Sequence, residues 1–137
     1  MGENETLARR WFRDVWKPGG EATVHELLAS ECTGVMEDRM VHGRQDFLDA
    51  RTLLFGAFPD IAIEVEDVVE QGDKVAVRWR GQATHTGDAL GFAATNKSVS
   101  FRGMSWLEFE DGKIVRGWDA WNLGALLQSL APPAALA

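Results

Sequence analysis

The sequence contains one cysteine and no tyrosine, and each shortage excludes a kind of chemistry. A single thiol, Cys32, cannot form an internal disulfide, which favours a reducing, cytoplasmic setting. One cysteine and three separated histidines do not give the usual zinc-binding spacings, so we predict no metal site. The lack of tyrosine excludes any mechanism in which a phenol holds an oxyanion or relays a proton.

Basic runs and long apolar runs are also missing. The net charge is -7, and the arginines are scattered, so we predict no nucleic-acid partner, because an acidic surface repels phosphate. No stretch approaches the ~20 apolar residues of a membrane helix, and the first ten residues lack the apolar run of a signal peptide. We therefore predict no membrane partner.

The composition that remains is typical of a globular protein. Of the 137 residues, 45% are hydrophobic and 26% are charged, which fits a single domain over residues 1–137 with a real core. Residues 131–137, which include two prolines, are predicted to form a flexible tail.

Hydrophobic periodicity predicts helices first and strands afterwards. Apolar residues recur at helical spacing in Glu5–Trp16, Ala22–Ala29 and Arg44–Phe55. One or two short strands are predicted between Glu31 and His42. The period then changes to two, and strands are predicted around Ile61–Glu66, Val75–Arg80, Ser98–Phe109 and Lys113–Trp121, with a long loop at His85–Lys97 and a last helix from about Asn122. This order predicts an α+β fold in which helices pack on a curved antiparallel sheet.

The segment 111–130, DGKIVRGWDAWNLGALLQSL, is the most informative part of the chain. Asp111-Gly112 is typical of a tight hairpin turn. Asp119 and Asn122 then interrupt a tryptophan-rich strand. Short polar side chains flanked by Trp118 and Trp121 suggest the floor of a pocket for a small molecule.

Several short motifs, taken in order, resemble the SnoaL-like polyketide cyclase family of the NTF2-like (cystatin-cone) superfamily. The motifs are F-P-D at 58–60, E-Q-G-D-K-V at 70–75, T-H-T-G at 84–87, D-G-K-I-V at 111–115, W-D at 118–119 and L-L-Q-x-L at 126–130. The resemblance implies a cone-shaped barrel, a curved antiparallel sheet whose N-terminal helices enclose a pocket, and a homodimer or tetramer formed through the sheet. It also implies intramolecular aldol cyclisation without a metal or an organic cofactor.

The residues that the aldol cyclases use are not all present. By alignment on D-G-K-I, the family's acid/base Asp falls on Asn122 and its His falls on Leu107. Neither an amide nor an alkyl side chain transfers a proton at neutral pH. The pattern W-D-x-x-N is closer to a variant branch associated with hydroxylation of anthracycline-type polyketides, in which an Asp at the position of Asp119 is retained. Such chemistry would require a partner reductase, because no nucleotide-binding glycine motif is present.

Three residues are candidates for catalysis. Asp119, between two tryptophans, is the best acid/base candidate if it is desolvated, and otherwise it is an outward carboxylate paired with Arg116 or Arg102. Asn122 orients a substrate carbonyl or caps the last helix. His85 titrates in the useful range near the predicted mouth of the cone, or it serves only the geometry of its loop.

Apolar side chains are predicted to line the pocket, although each could instead belong to the core or to a subunit interface. The predicted substrate-binding residues are Trp118, Trp79, Phe92, Phe101, Leu107, His42 and Phe58. Met104 and Trp106 have the opposite parity to Leu107, so we expect them to face a partner subunit.

The sequence therefore predicts a small enzyme, cyclase-like or hydroxylase-like, that acts on an aromatic polyketide or a similar hydrophobic carbonyl compound. One alternative is a non-catalytic protein that binds a hydrophobic small molecule. Another is an isomerase or an epoxide hydrolase on the same fold, which the lack of tyrosine disfavours for steroid-type isomerases.

Overall fold

The computed structural model describes residues 2–37 and 39–130, a range in which four helices and six strands occur. The helices are α1 (Glu3–Asp14), α2 (Glu21–Leu27), α3 (Arg44–Ala57) and α4 (Leu123–Leu130). The strands are β1 (Leu28–Met36), β2 (Arg39–His42), β3 (Ala62–Gln71), β4 (Lys74–Thr84), β5 (Ser98–Glu110) and β6 (Lys113–Trp121). The predicted tail, 131–137, lies outside the described residues.

The predicted α+β class is confirmed, and the sheet differs from the prediction in two respects. All six strands form one sheet in the order β2-β1-β6-β5-β4-β3. Neighbouring strands are antiparallel except β1 and β6, which are parallel. These two strands lie far apart in sequence, so no hairpin turn forces them to run in opposite directions. Within the described part of the chain β2 and β3 are the two edges, so the curved sheet is open and does not close into the predicted barrel.

The helices lie where periodicity predicts them, with ends shifted by at most two residues. Helix α1 buries Ala8, Trp11 and Phe12, the i, i+3, i+4 stripe of an amphipathic helix, and packs on β3 and β4. Helix α3 ends at Ala57 because Phe58 precedes a proline, whose ring disfavours helical backbone at the residue before it. None of the described helices has the length and apolarity required to cross a membrane.

The core lies between the helices and the concave face of the sheet. Alternate residues of β4 and β5 point into it, and the buried side chains there are Val75, Val77, Trp79, Phe101, Leu107 and Phe109. The intervening residues, such as Met104 and Trp106, face outward and are exposed. The two faces of the sheet therefore follow the predicted alternation.

The hairpin between β5 and β6 sets which residues of β6 face the core. Asp111 and Gly112 have φ values of 50° and 77°, as a two-residue turn with two positive φ angles requires. A register shift then lies between Glu108 and Phe109, because Phe109 pairs with Ile114 while Glu108 pairs with Arg116. The extra residue is Val115, and such a bulge turns every following side chain to the other face. Beyond it, the odd-numbered residues of β6 point into the core.

Candidate functional site

Asp119 lies on the concave face of the sheet, at the boundary of two internal cavities. Ser105, its direct partner on β5, is buried on the same face. The cavities have volumes of about 40 Å³ and about 50 Å³, and both are lined by Asp119, Trp11, Met36 and Phe47. The carboxyl group of Asp119 is therefore placed inside the cone.

Aromatic and aliphatic side chains surround this carboxyl group. The remaining residues of the first cavity are Phe12, Trp16, Leu54, Ile61, Ile63, Trp79, Phe101 and Trp121. The second cavity extends towards β1 and β2, where its lining includes Cys32, Val41, Leu107, Ile114 and Gly117. Among the residues that the structure describes, Asp119 is the sole carboxylate in either lining, so acid/base chemistry in this space is assigned to it.

Two hydrogen bonds in series hold the carboxylate in place. The Ser105 hydroxyl donates to Oδ1 of Asp119 in a short hydrogen bond. The indole N–H of Trp79 donates to the Ser105 oxygen at 3.0 Å. Because Trp79 fixes the oxygen of Ser105, the serine proton is directed at the carboxylate and not at solvent.

The surroundings raise the pKa of Asp119 to about 6 from an ordinary value of 3.8. The largest cause is desolvation, because an apolar environment disfavours the charged form. The hydrogen bond from Ser105 opposes the rise, since it stabilises the carboxylate, and the nearby negative charge of Glu37 adds to it. A pKa in this range is typical of a carboxyl group that exchanges protons near neutral pH.

The structure does not bring Asn122 to the cavities. Its side chain is exposed, and its Oδ1 accepts a hydrogen bond from the backbone N–H of Arg102 at 3.4 Å. Its backbone carbonyl accepts the first hydrogen bond of α4, from the N–H of Leu126. Asn122 therefore stands at the start of the last helix, where its side chain ties the helix to β5.

The structure places His85 in the core rather than at an open mouth of the cone. The ring is fully buried between the aromatic rings of Phe58 and Phe92, with centroid distances of 5.6 and 5.2 Å. Its Nδ1 accepts a hydrogen bond from the backbone N–H of Thr95 at 3.1 Å, so Nδ1 carries no proton and Nε2 does. His85 therefore orders the loop that follows β4, and neither cavity beside Asp119 includes it.

The predicted substrate-binding residues separate into three groups. Trp79 and Phe101 line the first cavity, and Leu107 lines the second. Phe58 and Phe92 pack against His85 instead. Trp118 and His42 are exposed and lie outside both cavities, Trp118 because the bulge at Val115 turns it to the outer face.

Sequence reasoning missed several residues of this site. Ser105 gave no signal, because a serine in an alternating strand is usually an ordinary sheet residue. Trp11, Trp16 and Phe47 were recognised only as the apolar faces of helices, and the same stripes that build a core also line its cavities. Trp121 was noted as a neighbour of Asp119, and the structure places its ring 5.3 Å from that of Phe101.

The outer face of the sheet carries a third groove of about 340 Å³, whose polar lining residues are Glu37, Ser105 and Asp119. Trp106 and Trp118 are cross-strand partners there, and each is more than 40% exposed. Val35, Ala76, Met104 and Ala120 complete its apolar lining.

In the range that the structure describes, no group of three or more His, Cys, Asp or Glu side chains is arranged to hold a metal ion.

The chain is similar to known proteins over nearly its whole length. The sequence pattern of the SnoaL-like polyketide cyclases matches residues 6–130. A candidate SnoaL-like polyketide cyclase from Jannaschia sp. CCS1 superposes with a TM-score of 0.87 at 23% identity, covering 97% of this chain and 98% of that one. No curated protein matches the sequence significantly.

Two Streptomyces proteins are similar in the same way. AclR from Streptomyces galilaeus, described as a candidate hydroxylase, has a TM-score of 0.80 at 28% identity, over 93% of this chain and 94% of that one. IdmH from Streptomyces antibioticus, described as a candidate polyketide cyclase, has a TM-score of 0.79 at 22% identity, over 93% and 97% of the two chains.

Proposed function

Because the chain belongs to the SnoaL-like polyketide cyclase family, we propose that it is an enzyme that performs acid/base chemistry on an aromatic polyketide or a similar hydrophobic carbonyl compound. Asp119 is the general base. One observation carries this proposal: a carboxyl group is held by Ser105 inside an apolar space, where desolvation raises its pKa to about 6.

The proposed step is enolisation. A C–H bond next to a carbonyl breaks, its proton moves to the carboxylate of Asp119, and its electron pair passes to the carbonyl oxygen as an enolate. Above pH 6 most of the carboxyl group is ionised and able to accept that proton. A base with a pKa near the operating pH is more effective than an ordinary carboxylate.

Indole N–H groups are the donors that we propose for the enolate oxygen. Four tryptophans line the first cavity, and among the described residues the structure pairs the indole N–H of one of them, Trp79, with another protein group. The N–H groups of Trp11, Trp16 and Trp121 remain for a ligand. A hydrogen-bond donor beside developing negative charge stabilises the transition state, so these groups take the part that Leu107 cannot.

Substrate entry requires side-chain movement. The two cavities beside Asp119 are small compared with the roughly 300–1,000 Å³ of typical ligand pockets. Met36 borders both of them and has three rotatable bonds, so its side chain can adapt at small cost. We propose that a substrate joins the two cavities into one by displacing it.

Hydroxylase-like chemistry is the second candidate, favoured by the similarity to AclR at 28% identity. Asn122 and Leu107 occupy the positions of the cyclases' proton-transferring residues, whereas Asp119 of W-D-x-x-N is retained. The enolate carbon would then bond to dioxygen and, with one proton, give a hydroperoxide. Two electrons from a reductase partner and two protons would cleave its O–O bond, which leaves a hydroxyl group on the carbon and releases water. Both reactions begin with proton removal by Asp119.

A non-catalytic binding protein would use the same cavities without turnover. An epoxide hydrolase would require an Asp-Arg-Asp cluster, and over residues 2–37 and 39–130 no arginine lines either cavity beside Asp119. We therefore keep the binding protein as the alternative that experiment must distinguish from the enzyme.

We also propose that the enzyme works in the cytoplasm as a homodimer or tetramer. The subunits would meet through the outer face of the sheet, where Trp106 and Trp118 are exposed.

Deuterium exchange tests the enolisation step independently of any later reaction of the enolate. Aromatic 1,3-diketones and methyl ketones are incubated with the enzyme in D₂O, and NMR measures deuterium uptake at the acidic carbon. Asp119→Asn is expected to lose about 100-fold or more of the exchange rate, the usual contribution of a general base. Because an amide oxygen also accepts a hydrogen bond from Ser105, we expect the variant to keep its fold and its ligand binding, which tryptophan fluorescence measures.

Asp49→Asn is the matched control, because Asp49 is exposed on α3 and its carboxylate accepts a hydrogen bond from the side chain of Gln45 on the same helix. It should exchange at the wild-type rate. If Asp119→Asn also does so, the assigned base is wrong. Binding by the wild type without any exchange would instead establish the non-catalytic alternative.

A further inference from the structure

The turn that follows β1 contains a residue with unusual backbone geometry. Glu37 has a φ of 57°, in the left-handed region that residues other than glycine, asparagine and aspartate seldom occupy. Such a conformation costs free energy, and it persists where the surrounding contacts hold it. In the described part of the chain, the hydrogen bonds of Glu37 lead to the strand that carries Asp119.

Glu37 makes two hydrogen bonds to β6. Its backbone N–H donates to the carbonyl oxygen of Asp119 at 2.8 Å. Its side-chain Oε1 accepts the backbone N–H of Trp121 in a short hydrogen bond. The parallel pairing of β1 with β6 ends at Met36 and Asp119, so the side chain of Glu37 continues the ladder where the main chain of β1 turns away.

These two bonds bracket the functional part of β6. Asp119 and Trp121 are the consecutive inward-facing residues there, and both line the first cavity. The carbonyl of one and the amide of the other are fixed by the same glutamate. The direction in which the Asp119 side chain leaves the strand therefore depends on Glu37.

The carboxylate of Glu37 is also a negative charge that acts on Asp119. From β5 the facing group is the neutral hydroxyl of Ser105, and from β1 the facing titratable group is the thiol of Cys32 in the second cavity. Burial raises the pKa of that thiol, so it is neutral near pH 7. A nearby negative charge disfavours ionisation of a carboxyl group, so the charge of Glu37 strengthens Asp119 as a base.

We propose that Glu37 is a positioning residue of this site, which fixes the backbone on both sides of Asp119 and places its own negative charge beside that part of the strand. This role rests on the proposed function of Asp119, but both of its effects can be measured in the protein without substrate. It assigns a function to a glutamate in a surface turn that no motif of the sequence marks.

Three variants separate the two parts of this role. Glu37→Gln keeps an oxygen that accepts from the Trp121 amide and removes the charge. Glu37→Ala removes both. Glu31→Gln makes the same change of net charge at an exposed residue of β1 and serves as the control.

The measurements are the ¹³C chemical shift of the Asp119 carboxyl against pH and the hydrogen-exchange rate of the Trp121 amide. Glu37→Gln is expected to titrate Asp119 at a lower pH than the wild type and to leave exchange unchanged. Glu37→Ala is expected to speed exchange at Trp121 by about tenfold, as the loss of one hydrogen bond implies. Glu31→Gln should change neither.

Two results would overturn the proposal. A wild-type titration of Asp119 in Glu37→Gln would show that the charge has no effect. Wild-type exchange at Trp121 in folded Glu37→Ala would show that the side chain does not hold the strand. Neither readout uses turnover, so a failure of the proposed enzymatic activity would be seen separately in the deuterium-exchange assay.

Discussion

At the scale of single residues, the site depends on a carboxyl group whose surroundings the sequence only partly indicates. Of the two tryptophans that flank Asp119 in the sequence, Trp121 lines the first cavity with it, whereas Trp118 lies on the outer face. The hydrogen-bond partner of Asp119 could not be predicted, because Ser105 is 14 residues away and meets Asp119 only through the pairing of β5 with β6. His85 was a candidate because an imidazole can act as an acid or a base. In the structure, however, its ring is fully buried and orders a loop.

Ser105→Ala tests the hydrogen bond that stabilises the ionised form of Asp119. Without that donor, the pKa of Asp119 is expected to rise further above 6, because the bond from Ser105 opposes the effect of desolvation. The pH at which the deuterium-exchange rate reaches half of its maximum should rise accordingly. Ser100→Ala, at an exposed serine of the same strand, should leave the profile unchanged. A profile that stays in place or moves to lower pH in Ser105→Ala would contradict the assigned contact.

At the scale of elements, one bulge decides the chemistry of β6. The strand itself was predictable from its alternation, and so was the Asp-Gly turn before it. Strict alternation from Ile114 would place Trp118 on the inner face and Asp119 on the outer face. The extra residue at Val115 reverses this, and periodicity carries no signal for a single unpaired residue.

The same bulge places Trp118 beside Trp106 on the outer face, where we propose that a second copy of the chain packs. Trp106→Glu should weaken the dimer by tenfold or more, as expected when a charge replaces a central aromatic contact. Sedimentation at several protein concentrations measures this. Leu53→Glu, at an exposed leucine of α3, is the control and should not change the dissociation constant. A wild-type protein that remains monomeric at every concentration would exclude this interface.

At the scale of the whole molecule, the class of the fold could be predicted from the order of helices and strands. The parallel pairing of β1 with β6 could not, because it joins the two ends of the chain and depends on how all six strands assemble. The cavities are likewise a property of the assembled structure, since they are the space left between α1, α3 and the concave face.

The dependence of the free energy of unfolding on pH is also a sum of contributions from carboxyl groups in many parts of the molecule. The pKa values of Asp14, Glu21, Glu26, Asp60, Asp73 and Glu108 are lowered by their hydrogen bonds, so these groups stabilise the fold as pH rises. Asp119 acts in the opposite direction. Its pKa is higher in the folded protein than in the unfolded chain, so its contribution is full below pH 3.8 and is lost as pH rises to about 6.

The central claim, that Asp119 is a desolvated carboxyl group ready to exchange a proton, is tested most directly by the free energy of unfolding of the wild type and Asp119→Asn at pH 4 and pH 8. Urea titrations at one fixed protein concentration provide it, and the difference between the two proteins removes the other titrating groups. The interval from 3.8 to about 6 corresponds to roughly 3 kcal/mol at most. We expect Asp119→Asn to gain about 1 to 3 kcal/mol relative to the wild type between pH 4 and pH 8. An equal difference at the two pH values would show that Asp119 ionises as it does in the unfolded chain, and would contradict the account.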